Sequence, residues 1–116
     1  VAANRLFTLR EEDRLVAAVV LMETDDLDEE PLGWAPVKSC VPVRLCVAPG
    51  FQGLGFGEIT LRALLRHCRA AGYESARLLA EVSNVPANRL YERLGFTPKG
   101  KVLLYGSEYK AYEIIL

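Results

Sequence analysis

Apolar and polar positions divide the chain into short strands and two helices. Arg5 to Arg10 carries a strand pattern, and the polar turn Glu11-Glu12-Asp13 leads into a more apolar run from Arg14 to Met22, so a hairpin is expected. Trp34 to Cys40, with Pro36, reads as irregular, and Val41 to Val47, interrupted by Arg44, reads as a buried strand. Pro42 lacks an N–H and is expected at the start of that strand or at a bulge. From Glu58 to Ala71, Leu61, Leu64, Leu65 and Cys68 recur at helical spacing until Gly72 stops the helix. Ala76 to Val82 is a second buried strand, and strand, helix, strand in this order forms a parallel right-handed crossover. Asn84 and Pro86 suit a helix start, Ala87, Leu90, Tyr91 and Leu94 mark one face, and Gly95 ends it. Val102 to Tyr105 and Tyr109 to Leu116 flank Gly106-Ser107-Glu108 as a closing hairpin. The order β-β-β-α-β-α-β-β places the chain in the α/β (α+β) class, and without repeats or linkers residues 1–116 read as a single domain.

The chain's most informative stretch joins the strand ending at Val47 to the first helix. Pro49-Gly50 closes the strand, and Gln52-Gly53-Leu54-Gly55-Phe56-Gly57 then brings three glycines within five residues. Such a loop lets the backbone approach an anion without Cβ atoms in the way, and the unpaired N–H groups of the helix's first turn point at the same place. The physics predicts a phosphate or pyrophosphate cradle; a plain tight turn is the alternative. No Gly-Lys-Ser or Gly-Lys-Thr follows, and Glu58 stands where the G-x-G-x-x-G spacing needs its last glycine, so neither a triphosphate loop nor a dinucleotide loop is written here.

Composition narrows the field. A chain of 116 residues buries roughly two-thirds of its unfolded surface without staples. A formal charge of −1 and a pI near 5.9 argue against sequence-independent nucleic-acid binding. Cys40, Cys46 and Cys68 make no C-x-x-C pair, so neither a disulfide framework nor a metal site is indicated, and a reducing cytoplasmic setting fits. The apolar run Leu15 to Met22 is far short of the ~20 residues that span a bilayer, so no membrane partner is expected. The chain opens at Val1 without methionine, which suggests a missing or removed start. Thr24 to Pro31 with Glu23 is strongly acidic and reads as a solvated loop; a lure for cationic substrates is its functional alternative.

Two motifs together are more specific than either. Leu45-Cys46-Val47, Pro49 and then Q-x-x-G-x-G at Gln52, Gly55 and Gly57 resembles the acetyl-coenzyme A loop of the GNAT superfamily of N-acetyltransferases. Asn84-Val85-Pro86-Ala87-Asn88-Arg89-Leu90-Tyr91-Glu92-Arg93-Leu94-Gly95-Phe96 is similar to that family's N-x-x-A-x-x-L-Y-x-x-x-G-F helix. The resemblance implies a mixed sheet that splays between the strands ending near Val47 and Val82, with acetyl-CoA entering the gap. Backbone groups of Leu45, Cys46 and Val47 would pair with the pantetheine arm and acetyl carbonyl. Amides from Gly53 through Leu54, Gly55, Phe56, Gly57 and Glu58 would hold the pyrophosphate. Asn84 matches a cofactor-contacting asparagine, with helix capping as its other role. Tyr91 matches the family's proposed general acid, with core packing as its other role.

The resemblance implies a general base, a carboxylate or histidine on one of the two splayed strands; Glu81, the acid on its strand, is the candidate, and a surface or cap-region charge is its other role. His67 reads as a solvated side chain. The implied activity is transfer of an acetyl group from acetyl-CoA to a primary amine by direct attack in a ternary complex, the acceptor being a small molecule, a protein N-terminus or a lysine. The rival is a CoA-binding regulatory or interaction module with little turnover. Three departures bear on it: Leu54 stands where relatives place a basic residue, Glu58 puts a negative charge at the cradle, and the family's first strand and two helices have no counterpart before Arg5. The domain is therefore expected to be N-terminally short, with a homodimer as one way of covering the exposed face.

Overall fold

The computed structural model describes residues 5–22 and 38–116; the acidic run and the segment through Val37 lie outside the described residues. The elements are β1 (Arg5–Glu11), β2 (Arg14–Met22), β3 (Ser39–Val47), α1 (Phe56–Ala70), β4 (Ser75–Glu81), α2 (Val85–Arg93), β5 (Thr97–Leu104) and β6 (Ser107–Ile115). The strands form a mixed sheet in the order β1-β2-β3-β4-β6-β5. The element order is the expected one.

Both hairpins turn through a left-handed backbone, which Asp13 and Gly106 accommodate more readily than Glu12 and Tyr105. Glu12 and Asp13 turn β1 into β2 with φ of 50° and 65°, and Tyr105 and Gly106 turn β5 into β6 with φ of 51° and 78°. Two consecutive positive φ values suit a tight hairpin's twist, which moves the last turn one residue ahead of its expected place. Both helices end alike. Gly72 N–H donates to the Arg69 carbonyl at 3.1 Å and Tyr73 N–H to the Cys68 carbonyl at 3.0 Å; at the second helix Gly95 donates to Glu92 at 3.1 Å and Phe96 to Tyr91 at 3.0 Å. This paired closure needs a left-handed residue after the cap, and Gly72 and Gly95 supply it with φ of 95° and 94°.

Both helices pack on one face of the sheet. Leu61, Leu64 and Cys68 of α1 meet Val19, Leu21, Cys40, Ala76, Leu78 and Tyr112 there, and Tyr91 and Leu94 of α2 join the same core. The apolar stripe read from the sequence is the buried one, as burial of apolar area requires.

The sheet is in effect two half-sheets joined at a hinge. β3 and β4 run parallel but pair only at Ser39 with Ser75 and Cys40 with Ala76. Beyond those pairs β3 follows β2 from Val41 to Val47, while β4 stays paired with β6 as far as Glu81 opposite Tyr109. A gap opens between them toward their C-terminal ends. β3 therefore begins at Ser39, inside the stretch expected to be irregular. Pro42 lies inside the strand opposite Leu21, two residues past the last β4 pair, where the β4 side of β3 needs no donor. Four steps along β2 from Ala17 to Leu21 match five along β3 from Val47 back to Pro42, so β3 carries a bulge. The extra residue switches the alternation and brings Leu45 and Val47 to the face where α1 sits.

Candidate functional site

The loop that follows β3 is built to expose backbone. Ala48 N–H donates to the Val16 carbonyl at 2.7 Å, and Gln52 Nε2 reaches back to the Val47 carbonyl at 3.1 Å, so the loop is tied at both ends to the strands. Gln52 thus acts as a strut of the loop. Gly53 and Gly55 take φ of 77° and 87°, and a Cβ at either would meet no atom within 4 Å. Their requirement is conformational, since side chains rarely adopt that backbone. Gly55 caps α1 without a side-chain acceptor, which leaves the first-turn amides of Phe56, Gly57 and Glu58 pointing outward. Leu54 is exposed and Phe56 packs edge-on against Phe51 at 5.6 Å.

The third glycine marks where the parts converge. A Cβ at Gly57 would stand 3.6 Å from Val47 Cγ2, 3.9 Å from Leu90 Cδ2 and 4.0 Å from Leu45 Cδ2. The end of β3, the start of α1 and the face of α2 therefore meet at the mouth of the gap. Leu45 and Val47 are half-buried there and Cys46 is exposed. A glycine-rich cradle carrying free amides and a positive helix end fits a diphosphate.

α2 is held by its polar ends. Asn84 Oδ1 accepts from Ala87 N–H at 3.3 Å, the capping role anticipated for it. Asn88, which the sequence reading passed over, is the firmer anchor. Its Nδ2 donates to the Glu81 carbonyl at 3.0 Å and the Asn84 carbonyl at 2.8 Å, and its Oδ1 accepts from Tyr112 Oη at 2.7 Å. Glu92 Oε1 shares the same hydroxyl proton at the longer distance of 3.2 Å, and its partner Lys110, at 3.1 Å, lowers the carboxyl's pKa. The signal was available: Asn88 sits one helical turn after Asn84.

Tyr91 lies on α2 with its ring 5.7 Å from Phe96 and 5.6 Å from Tyr112, on the β4–β6 side of the gap. Burial, reinforced by Tyr112, raises its pKa above the ordinary phenol value. It holds its proton at neutral pH. Glu81 ends β4 and is exposed. Strand alternation places it with Arg77, on the face opposite Leu78, Ala80 and Tyr112, so it points away from the helices. The structure brings the loop, Leu45, Val47 and α2 together, and leaves Glu81 on the other side of the sheet from Tyr91.

That other face carries a cluster the sequence did not announce. Glu113 is 1% exposed; its carboxylate accepts from Ser75 Oγ at 2.9 Å and Arg77 Nε at 3.1 Å, with Lys99 Nζ 3.7 Å away. It locks β4, β6 and β5 together. At the cradle, Glu58 Oε1 is paired with Arg62 and Arg93, each at 3.3 Å, and Arg93 first, then Arg62, lowers its pKa. No group of three or more metal-ligating side chains occurs among the described residues, and none of their helices is long and apolar enough to cross a membrane.

Comparison with known proteins agrees with this geometry. A family model described as the acetyltransferase (GNAT) family matches residues 2–96. The chain is 43% identical over 61 residues to a mycothiol acetyltransferase of Thermomonospora curvata and 42% over 62 residues to one of Streptomyces scabiei; each match covers 53% of this chain. It spans only 20% of the length of those curated relatives. Among solved structures, the spermidine/spermine N-acetyltransferase SpeG of Vibrio cholerae is similar with a TM-score of 0.76 at 25% identity, over 97% of this chain and 67% of that one. A Bacillus subtilis acetyltransferase solved in complex with CoA shares the fold with a TM-score of 0.77 at 16% identity, over 97% of this chain and 77% of that one.

Proposed function

Because the chain belongs to the GNAT acetyltransferase family, we propose that it binds acetyl-CoA in the gap between β3 and β4 and transfers the acetyl group to a primary amine in a ternary complex. The observation that carries this reading is the parting of the two strands after Cys40 and Ala76, with the open amides of α1 at the mouth of the gap. Bound acetyl-CoA supplies an activated thioester. Every other task falls to the chain.

The amides of Gly53 through Glu58 hold the diphosphate, and the main chain of Leu45, Cys46 and Val47 pairs with the pantetheine arm as a neighbouring strand would. The bulge in β3 serves this by turning Leu45 and Val47 toward the helices. Backbone donors along β3 polarise the acetyl carbonyl. Tyr91 gives its phenolic proton to the departing sulfur. A phenol with a pKa above ~10 donates to a thiolate whose thiol titrates near ~8.5 only if the transfer is coupled to bond cleavage, which fixed placement by Phe96 and Tyr112 favours. Glu81 takes a proton from the acceptor's ammonium form, directly or through water from the opposite face of the sheet, and the neutral amine so freed attacks the thioester carbonyl. Acid and base on different faces suit an amine that approaches from the side away from the helices.

The relatives' names give the range of acceptors to try. One is a spermidine/spermine N-acetyltransferase, others are mycothiol acetyltransferases, and the ribosomal-protein-S18-alanine N-acetyltransferase of Escherichia coli shares the fold with a TM-score of 0.76 at 20% identity. Small amines and protein N-termini are both on that range. A second reading, a CoA-binding module without turnover, is favoured by one observation: β3 carries no acid. Thiol release from acetyl-CoA measured across polyamines, amino sugars and N-terminal peptides decides between them. Acceptor-dependent release is the expected result; saturable CoA binding with no release for any amine would favour the module.

A further inference from the structure

Glu58 was expected to repel a bound diphosphate, and Leu54 to deprive the cradle of a cation. The ion pairs around Glu58 change that balance. Its Oε1 is shared by Nη2 of Arg62, one turn along α1, and Nε of Arg93, in the last turn of α2, both at 3.3 Å. These are loose contacts beside the ~2.7–2.9 Å of a strong charge-assisted bond. The arginine side chains are 55% and 59% exposed, whereas that of Glu58 is 27% exposed. Two cations meet one anion, so the cluster is positive on balance and turns its cationic side to solvent. The positive line continues along α1 through Arg66 and Arg69, beside Leu94 of α2, into a groove of about 280 Å³ whose described lining contains no acid.

Resting on the acetyl-CoA reading above, we propose that Arg62 and Arg93 read the 3′-phosphate on the coenzyme's ribose, with Glu58 as the internal anion that holds both guanidiniums until the phosphate displaces it. The α1 amides are occupied by the diphosphate, so two arginines beside them are matched to a further anion. A phosphate offers three oxygens to two planar forks, where a carboxylate here offers one oxygen to two single N–H groups. Exchange of partners leaves Glu58 in the first turn of α1, whose positive end it then shares with the diphosphate, so the released carboxylate offsets part of the gain. The cation absent at Leu54 is thereby supplied from α2.

The test compares dissociation constants of CoA and 3′-dephospho-CoA by titration calorimetry for the unaltered chain, Arg93→Ala and Glu58→Gln. The unaltered chain is expected to prefer CoA by about tenfold, one charge-assisted contact's worth. Arg93→Ala should bring the ratio close to one by weakening CoA alone, whereas Glu58→Gln, which breaks the same α1–α2 link, should raise the ratio. Opposite directions cannot come from a loosened helix pair. A ratio near one in the unaltered chain, an Arg93→Ala effect equal on both ligands, or a common direction in both variants overturns the assignment while leaving acetyl-CoA binding intact. Failure of both ligands to bind overturns the coenzyme reading itself.

Discussion

Replacing Tyr91 by phenylalanine removes a single oxygen and leaves a ring of the same shape between Phe96 and Tyr112, at centroid distances of 5.7 and 5.6 Å. The ring contacts and the carbonyl that accepts from Phe96 N–H are untouched. Losing a half-buried hydroxyl should change stability by no more than ~1 kcal/mol, which at this size is a few degrees in Tm. Coenzyme affinity should stay within about twofold, since on the proposed reading the cradle and β3 hold the coenzyme. If the phenol is the general acid, kcat should fall by ~10²–10⁴, the usual worth of one positioned proton donor. The pH profile gives an independent check. Burial raises the Tyr91 pKa, and the acid form is the active one, so activity persists to the ordinary value near ~10 and is lost as pH rises through the raised value. The variant should lack that alkaline limb. Thiol release at saturating acetyl-CoA measures both, and a kcat within about threefold of the unaltered chain at neutral pH would refute a catalytic phenol, leaving Tyr91 a packing residue.

Further outcomes follow from the same geometry. Glu81→Gln keeps the carbonyl that anchors Asn88 and should lower kcat/KM at neutral pH by at least ~10²-fold without moving the CoA dissociation constant; an unchanged rate would remove Glu81 from the mechanism. Glu113→Ala strips a buried anion from Ser75, Arg77 and Lys99 and should cost ~3–5 kcal/mol in urea unfolding, and a loss under ~1 kcal/mol would show that the cluster contributes little. Gly55→Ala forces a side chain onto a φ of 87° and should destabilise by ~1–2 kcal/mol. Gly57→Ala meets only ordinary contacts at 3.6 to 4.0 Å and should stabilise the free chain by ~0.5–1 kcal/mol, a contrast readable in paired melting curves.

The sequence by itself determined what depends on neighbours along the chain. The helical spacing of Leu61, Leu64 and Cys68, the glycines after both helices and the glycine loop before the first fixed the element order and pointed to an anion cradle, because capping, left-handed turns and amphipathic stripes are local. The family resemblance supplied the splay. Only the tertiary structure decided where the two strands part, which way the bulge turns Leu45 and Val47, and which face Glu81 takes, because each depends on a partner strand's register. The same holds for Arg93 across from Glu58 and for Arg77 on Glu113, separated by 35 and 36 positions. Charges that far apart in the chain carry no pattern a linear reading can detect; they meet because β4 and β6 pair and the two helices share one face of the sheet.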